Sequence, residues 1–187
     1  MGPGNGPIFI QASPSENTAI MDLLIIRHGI AEDKDVFATT GQSDDLRPLT
    51  AKGRKKMARI ARGLRATMPQ VALFAASPLV RARETADIVA REYGAEIGEI
   101  TETLRPDASL DDFVEWLDSR GERSVVAVVG HEPHLGALAT WLMCGTGESH
   151  IELKKGGACL LSFDDRPKRG GATLHWLMTP AQLEAQS

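Results

Sequence analysis

Four short apolar runs, each cut off abruptly, punctuate this chain, and the stretches between them carry helical periodicity. They are Leu23 to Ile26, Val71 to Ala76, Ala95 to Ile100 and Ser124 to Val129. Runs of this length and character read as strands buried on both faces of a parallel sheet. Thr50 is placed to cap a helix running to about Met68, with Gly53, Met57, Ile60, Ala61, Leu64 and Met68 as its apolar stripe. Ser77-Pro78 sets a capping serine before a proline at the first helical position, and predicts a helix from Pro78 to about Tyr93 that Gly94 stops. Asp107 to Arg120 holds another, capped by Ser109 or Asp107, with Leu110, Phe113, Val114 and Leu117 turned inward. A fourth runs from about Leu135 to Cys144. Gly156–Phe163 and Ala172–Met178 read as closing strands, and the polar stretch Glu32–Arg47, centred on Gly41–Asp45, as loop. The order β-α-β-α-β-α-β-α-β-β predicts an α/β fold of three layers, α/β/α, around a mostly parallel central sheet.

Composition narrows the function classes. A chain of 187 residues with a net charge of −4 is not a generic nucleic-acid binder, and no apolar run is long enough to cross a membrane. Cys144 and Cys159 lack disulfide or zinc spacing. Both are expected as buried, reduced thiols, which suits a cytoplasmic protein. Met1 to Ile20 is rich in Gly, Pro, Ser and Asn and is read as a flexible extension, with residues 21–187 as a single domain and Met21 as a candidate natural start. On the first helix-forming segment, Lys52, Lys55, Arg59 and Arg62 lie opposite the apolar stripe, with Arg54, Lys56 and Arg65 on the flanks and no acid among them. That face is read as solvated, with a dock for an acidic partner or polyanion as the alternative.

Chemistry gathers where the strands stop. The first run ends in Arg27-His28-Gly29 and the fourth in Gly130-His131, while Arg81 follows one turn beyond Ser77-Pro78. Right-handed crossovers bring these ends to one edge of the sheet, and Arg47, on the loop before a helix, is within reach of it. Guanidinium forks match phosphate oxygens, and fixed cationic donors stabilise the charge that spreads over them in phosphoryl transfer. One histidine can then attack phosphorus, and adjacent arginines disfavour its protonation. The absence of a carboxylate cluster argues against a metal-dependent phosphodiesterase or nuclease.

The segments Leu24-Ile25-Ile26-Arg27-His28-Gly29, Arg47-Pro48-Leu49-Thr50-Ala51-Lys52-Gly53, Ser77-Pro78-Leu79-Val80-Arg81-Ala82 and Val129-Gly130-His131-Glu132-Pro133 stand in consistent order. Together they resemble the histidine phosphatase superfamily, whose fold is phosphoglycerate-mutase-like. Short length, the Arg-Pro-Leu-Thr loop and the closing Trp176-Leu177-Met178 look most like its small bacterial SixA-type phosphohistidine phosphatases. The resemblance implies His28 as the phosphoryl-accepting nucleophile, with Arg27 and Arg81 as the phosphate clamp. It implies His131 as a second pocket residue stabilising the transferring group, Arg47 as an additional pocket arginine, and no metal or cofactor. His134 reads as structural.

One departure bears on substrate. Many phosphomonoesterases and mutases of the superfamily carry a glutamate acid soon after the third strand, where this chain has Thr103-Leu104-Arg105-Pro106. An alkoxide needs a positioned proton donor, whereas imidazole leaving from a phosphoramidate needs less help. The expectation is therefore a phosphohistidine phosphatase acting on a phosphotransfer protein. Glu102, Asp107 and Glu132 remain substitute acids. The alternatives are a phosphomonoesterase for a small metabolite and a phosphate-binding module without catalysis.

Overall fold

The computed structural model describes residues 21–121 and 125–187, so the expected extension over residues 1–20 and the strand start at Ser124 lie outside the described residues. Strand β1 (Met21–Arg27) shows why the apolar runs make strands. Successive side chains point to opposite faces. Leu23 and Ile25 join one core with Phe113, Leu117, Leu135, Leu138 and Phe163. Leu24 and Ile26 join another with Met57, Ile60, Leu64, Ala82, Ala86 and Val89. Each fully buried aliphatic side chain contributes roughly 1.5–3 kcal/mol, which is why the run carries no polar residue until both cores end.

A short helix, α1 (Lys34–Ala38), and a 3₁₀ turn at Asp44–Leu46 precede α2 (Ala51–Thr67), then β2 (Leu73–Ala76) and α3 (Val80–Glu92). After β3 (Glu99–Ile100) and a 3₁₀ turn at Glu102–Leu104 come α4 (Leu110–Asp118), β4 (Val125–Gly130), α5 (His134–Cys144), β5 (Ala158–Phe163), β6 (Ala172–Met178) and α6 (Pro180–Glu184). The sheet order is β3-β2-β4-β1-β5-β6. β1 to β4 pair in parallel, and β5 and β6 complete the sheet antiparallel. Residues of α2, α3 and α6 fill one core and residues of α4 and α5 the other, so the three-layer α/β/α expectation holds.

Several local expectations are corrected. Ser77 does not cap α3, which begins two residues after Pro78 behind Leu79, because the serine side chain is engaged elsewhere. The third strand shrinks to two residues at the sheet edge, where only Glu99 and Ile100 pair with β2. Glu32–Arg47 is not all loop, since Asp33 caps α1 through the amides of Asp35 and Val36. The closing helix α6 was not anticipated. Its capping box, Thr179 with Gln182 behind Pro180, fixes its start. Trp116 joins the α4 residues packed inward. Cys144 is exposed and only Cys159 is buried. The basic face of α2 does meet acids: Glu184 pairs with Arg59 and Lys56, and Glu84 with Arg54. Thr50 caps α2 as expected, through the Gly53 amide. Gly94, at φ +70°, follows the end of α3.

Candidate active site

The register of β1 on β4 sets Arg27 against Gly130, so the two strands end level. The His28 amide donates to the Gly130 carbonyl at 3.1 Å. His131 follows immediately, and the two imidazole centroids stand 5.1 Å apart. β2 ends at the same edge, its Ser77 amide donating to the Val129 carbonyl at 3.0 Å. The chain then turns into α3, whose second residue is Arg81. Arg27, His28, Arg47, Arg81 and His131 border one cleft of about 300 Å³, so all five residues singled out in the sequence come together.

The tautomer of His28 is fixed locally. Its Nδ1 lies 2.7 Å from the Gly29 carbonyl oxygen, which can only accept, so Nδ1 carries the proton and Nε2 carries the lone pair. Burial, opposed by that bond and reinforced by Arg81, Arg27 and Lys155, pushes the imidazole down to about 3. His131 is lowered as well, first by burial and then by the neighbouring His28 and Arg81. Both rings are neutral at physiological pH.

The arginines are held from behind. Arg27 Nη1 donates to the Leu153 carbonyl at 2.6 Å. Arg81 donates from Nη1 to the Asp44 carbonyl at 2.9 Å and pairs through Nη2 with Asp44 Oδ2 at 3.1 Å. Arg27 Nε, Arg81 Nε and His131 Nδ1 are left buried with no partner. An unsatisfied buried donor costs roughly 1–3 kcal/mol. All three belong to residues that border the cleft, so unmet donor capacity is concentrated at its wall. The other buried nitrogens without partners, on His134 and Trp141, do not border the cleft.

Arg47 faces the cleft with much of its fork already committed. Its Nε bonds Asp44 Oδ1 at 2.7 Å and its Nη1 the Glu32 carbonyl at 2.8 Å. Asp44 is thus shared by two guanidiniums, and the Arg47 bond, against the opposing effect of burial, holds its carboxyl below the usual carboxylate range. The substitute acids fare no better as donors. Glu132 borders the cleft, but its two oxygens accept the amides of Leu153 at 2.8 Å and Gly136 at 3.2 Å. Glu102 pairs with Arg105, and neither it nor Asp107 borders the cleft.

Residues not anticipated complete the wall: Lys34 from α1, Lys155 from the loop before β5, Asp44 and Pro106. Behind it, Thr85 accepts from the Gly29 amide at 3.0 Å and donates to the Arg81 carbonyl at 2.7 Å, which ties the loop after His28 to α3. The spacing of Thr85 four residues after Arg81 is the sequence signal for that back-bond. Among the described residues no three His, Cys, Asp or Glu side chains form a group fit to hold a metal ion. No helix among them is long and apolar enough to cross a membrane.

Comparison with known proteins is consistent with this geometry. Residues 23–105 match the model of the histidine phosphatase superfamily (branch 1). An uncharacterized protein of Picosynechococcus sp. is 36% identical over 142 residues, covering 73% of this chain and 82% of that protein. The structure of the protein histidine phosphatase SixA complexed with tungstate aligns with a TM-score of 0.74 at 24% identity, over 87% of this chain and 99% of that one. The α-ribazole phosphatase from Shigella flexneri aligns at 0.67 and 19% identity, over 86% and 97%. At these identities the two structures speak for a shared phosphoglycerate-mutase-like fold.

Proposed function

This chain is a phosphatase of the histidine phosphatase superfamily, and on that footing we propose that it removes phosphate from phosphohistidine on a protein, by way of a phosphorylated His28. The observation that carries this reading is that Arg27, Arg81 and His131, each with a buried unpartnered nitrogen, border one cleft together with His28, whose Nε2 carries the lone pair. A phosphoryl group held there presents phosphorus to that lone pair, and its equatorial oxygens meet the arginine forks. Nε2 forms the new P–N bond as the substrate's P–N bond breaks, and the departing imidazole takes up a proton from solvent water. Water then attacks phospho-His28, releasing inorganic phosphate and restoring the neutral ring. Lys34 and Lys155 add positive charge at the wall of the cleft.

The preference for a phosphoramidate rests on the carboxylates. Asp44 and Glu132, which border the cleft, are tied up by guanidiniums and by backbone amides respectively. An alkoxide would leave without a carboxylic acid to protonate it, whereas imidazole is the better leaving group. A second reading, a small phosphomonoester as substrate, draws on the fold shared with the α-ribazole phosphatase.

The test is to incubate the full chain and its His28→Ala variant with a phosphorylated histidine-phosphotransfer domain, beside sugar phosphates and other phosphoesters. Phosphate release from phosphohistidine is expected, falling by roughly a thousandfold or more in the variant. Tungstate, the oxyanion held in the SixA structure, is expected to compete. Rapid turnover of phosphoesters with none of phosphohistidine would overturn the substrate assignment.

A further inference from the structure

We infer that Ser77 is a positioning residue that fixes the tautomer of His131, donating its hydroxyl proton to Nε2 so that the imidazole presents an N–H at Nδ1 to the anion in the cleft. Ser77 is fully buried at the end of β2, with Oγ 2.9 Å from His131 Nε2. The same oxygen accepts the Leu79 amide at 3.4 Å. Two assignments of the ring proton are possible, and they are not equivalent. If His131 carried its proton on Nε2, Ser77 would accept from both the ring and Leu79, and its own buried hydroxyl hydrogen would have no acceptor among the described residues. Nδ1 would then keep a lone pair, with no donor to meet it, on a residue that borders a cleft rich in cationic side chains. If Ser77 donates, it is satisfied on both sides, and the one group left over is the buried N–H of a residue that borders the cleft, for an oxyanion to complete. The lowered proton affinity of the buried ring, which keeps it neutral, is in keeping with a single proton being shared out in this way.

The arrangement sets two imidazoles in one tautomer to opposite tasks. The Gly29 carbonyl holds the His28 proton on Nδ1 and turns a lone pair to the ligand, whereas Ser77 holds the His131 proton on Nδ1 and turns a donor to it. The kinetic consequence rests on the phosphoryl-transfer reading above. The tautomer itself does not.

Imidazole ¹⁵N resonances separate protonated from unprotonated ring nitrogens. They can be assigned to His131 among the chain's five histidines by comparison with a His131→Asn variant. In the wild type, Nδ1 is expected protonated and Nε2 unprotonated, and addition of tungstate is expected to shift the Nδ1 signal. Ser77→Ala, which removes one buried oxygen and leaves the backbone unchanged, is expected to give a mixture of tautomers and to lower kcat about tenfold with little change in KM. An Nε2-protonated ring in the wild type, or an unchanged tautomer in Ser77→Ala, would overturn the inference. A wild type with the expected tautomer but no phosphatase activity would support the inference and count against the phosphoryl-transfer reading alone.

Discussion

Arg27 and Glu132 are joined through a single residue. Leu153 accepts the Arg27 fork on its carbonyl at 2.6 Å and gives its amide to Glu132 Oε1 at 2.8 Å. Glu132 therefore reaches Arg27, which we propose binds the phosphoryl group, through the backbone. Glu132→Ala is expected to raise KM, and the inhibition constant of tungstate, about tenfold, with a smaller change in kcat. Were Glu132 the proton donor, kcat would fall and KM would hold, so steady-state kinetics on one substrate separates the two roles.

Asp44 sits between Arg47 and Arg81, bonded to the first at 2.7 Å and the second at 3.1 Å. Without its negative charge the two guanidiniums would repel each other and Arg81 would lose the hold on its Nη2. Asp44→Asn is expected to weaken phosphate or tungstate binding by about tenfold, after discounting for the partial exposure of the carboxylate. Calorimetric titration of the oxyanion reads this directly. Unchanged affinity would remove Asp44 from the account.

Acid is expected to destabilise the protein well before its carboxylates titrate. In the unfolded chain His28 takes up a proton near pH 6.5, and in the fold burial delays that to about pH 3. Its contribution is complete above pH 6.5 and lost as the pH falls toward 3, at about 1.4 kcal/mol per pH unit, or about 2 kcal/mol by pH 5. His131 is shifted in the same direction and adds to the slope. Urea unfolding at pH 7.5, 6 and 5 measures it, and His28→Asn is expected to flatten the curve.

Gly63 on α2 sits against α6, where a Cβ would come within 1.8 Å of the Leu183 carbonyl oxygen. Gly63→Ala is expected to push α6 off and cost about 1–3 kcal/mol of stability. Because α6 does not reach the cleft, kcat and KM should survive at temperatures where the variant stays folded. Thermal unfolding set beside activity at 20–25 °C checks both halves.

What the sequence reveals and hides follows the range of the interaction. Arg27-His28 and Gly130-His131 were legible because an apolar run that stops at a charged or imidazole side chain marks a strand end. Topology then brings parallel ends together. Ser77 was misread because a serine before proline serves equally well as a helix cap. Only the direction of its side chain at the end of β2, toward His131, decides. The partners of the basic helix, Glu84 for Arg54 and Glu184 for Arg59, lie 30 and 125 residues away, so no local pattern shows them. Lys34 rides on a five-residue helix with one buried side chain, Phe37, too little periodicity to detect. The capping box of α6, by contrast, was there to be read in Thr179-Pro180-Ala181-Gln182.

The strand order has a consequence in time. β1 and β2 come first from the N-terminus, yet they never touch, because β4 lies between them and pairs with both. A growing chain that has not yet produced Val125–Gly130 must keep a slot open in the middle of its sheet, with His28 lacking its neighbour. Insertion of that one strand closes the gap and delivers His131 in a single event. A nascent or truncated chain can therefore collapse early, but the pair of imidazoles forms only with the strand that fills the gap.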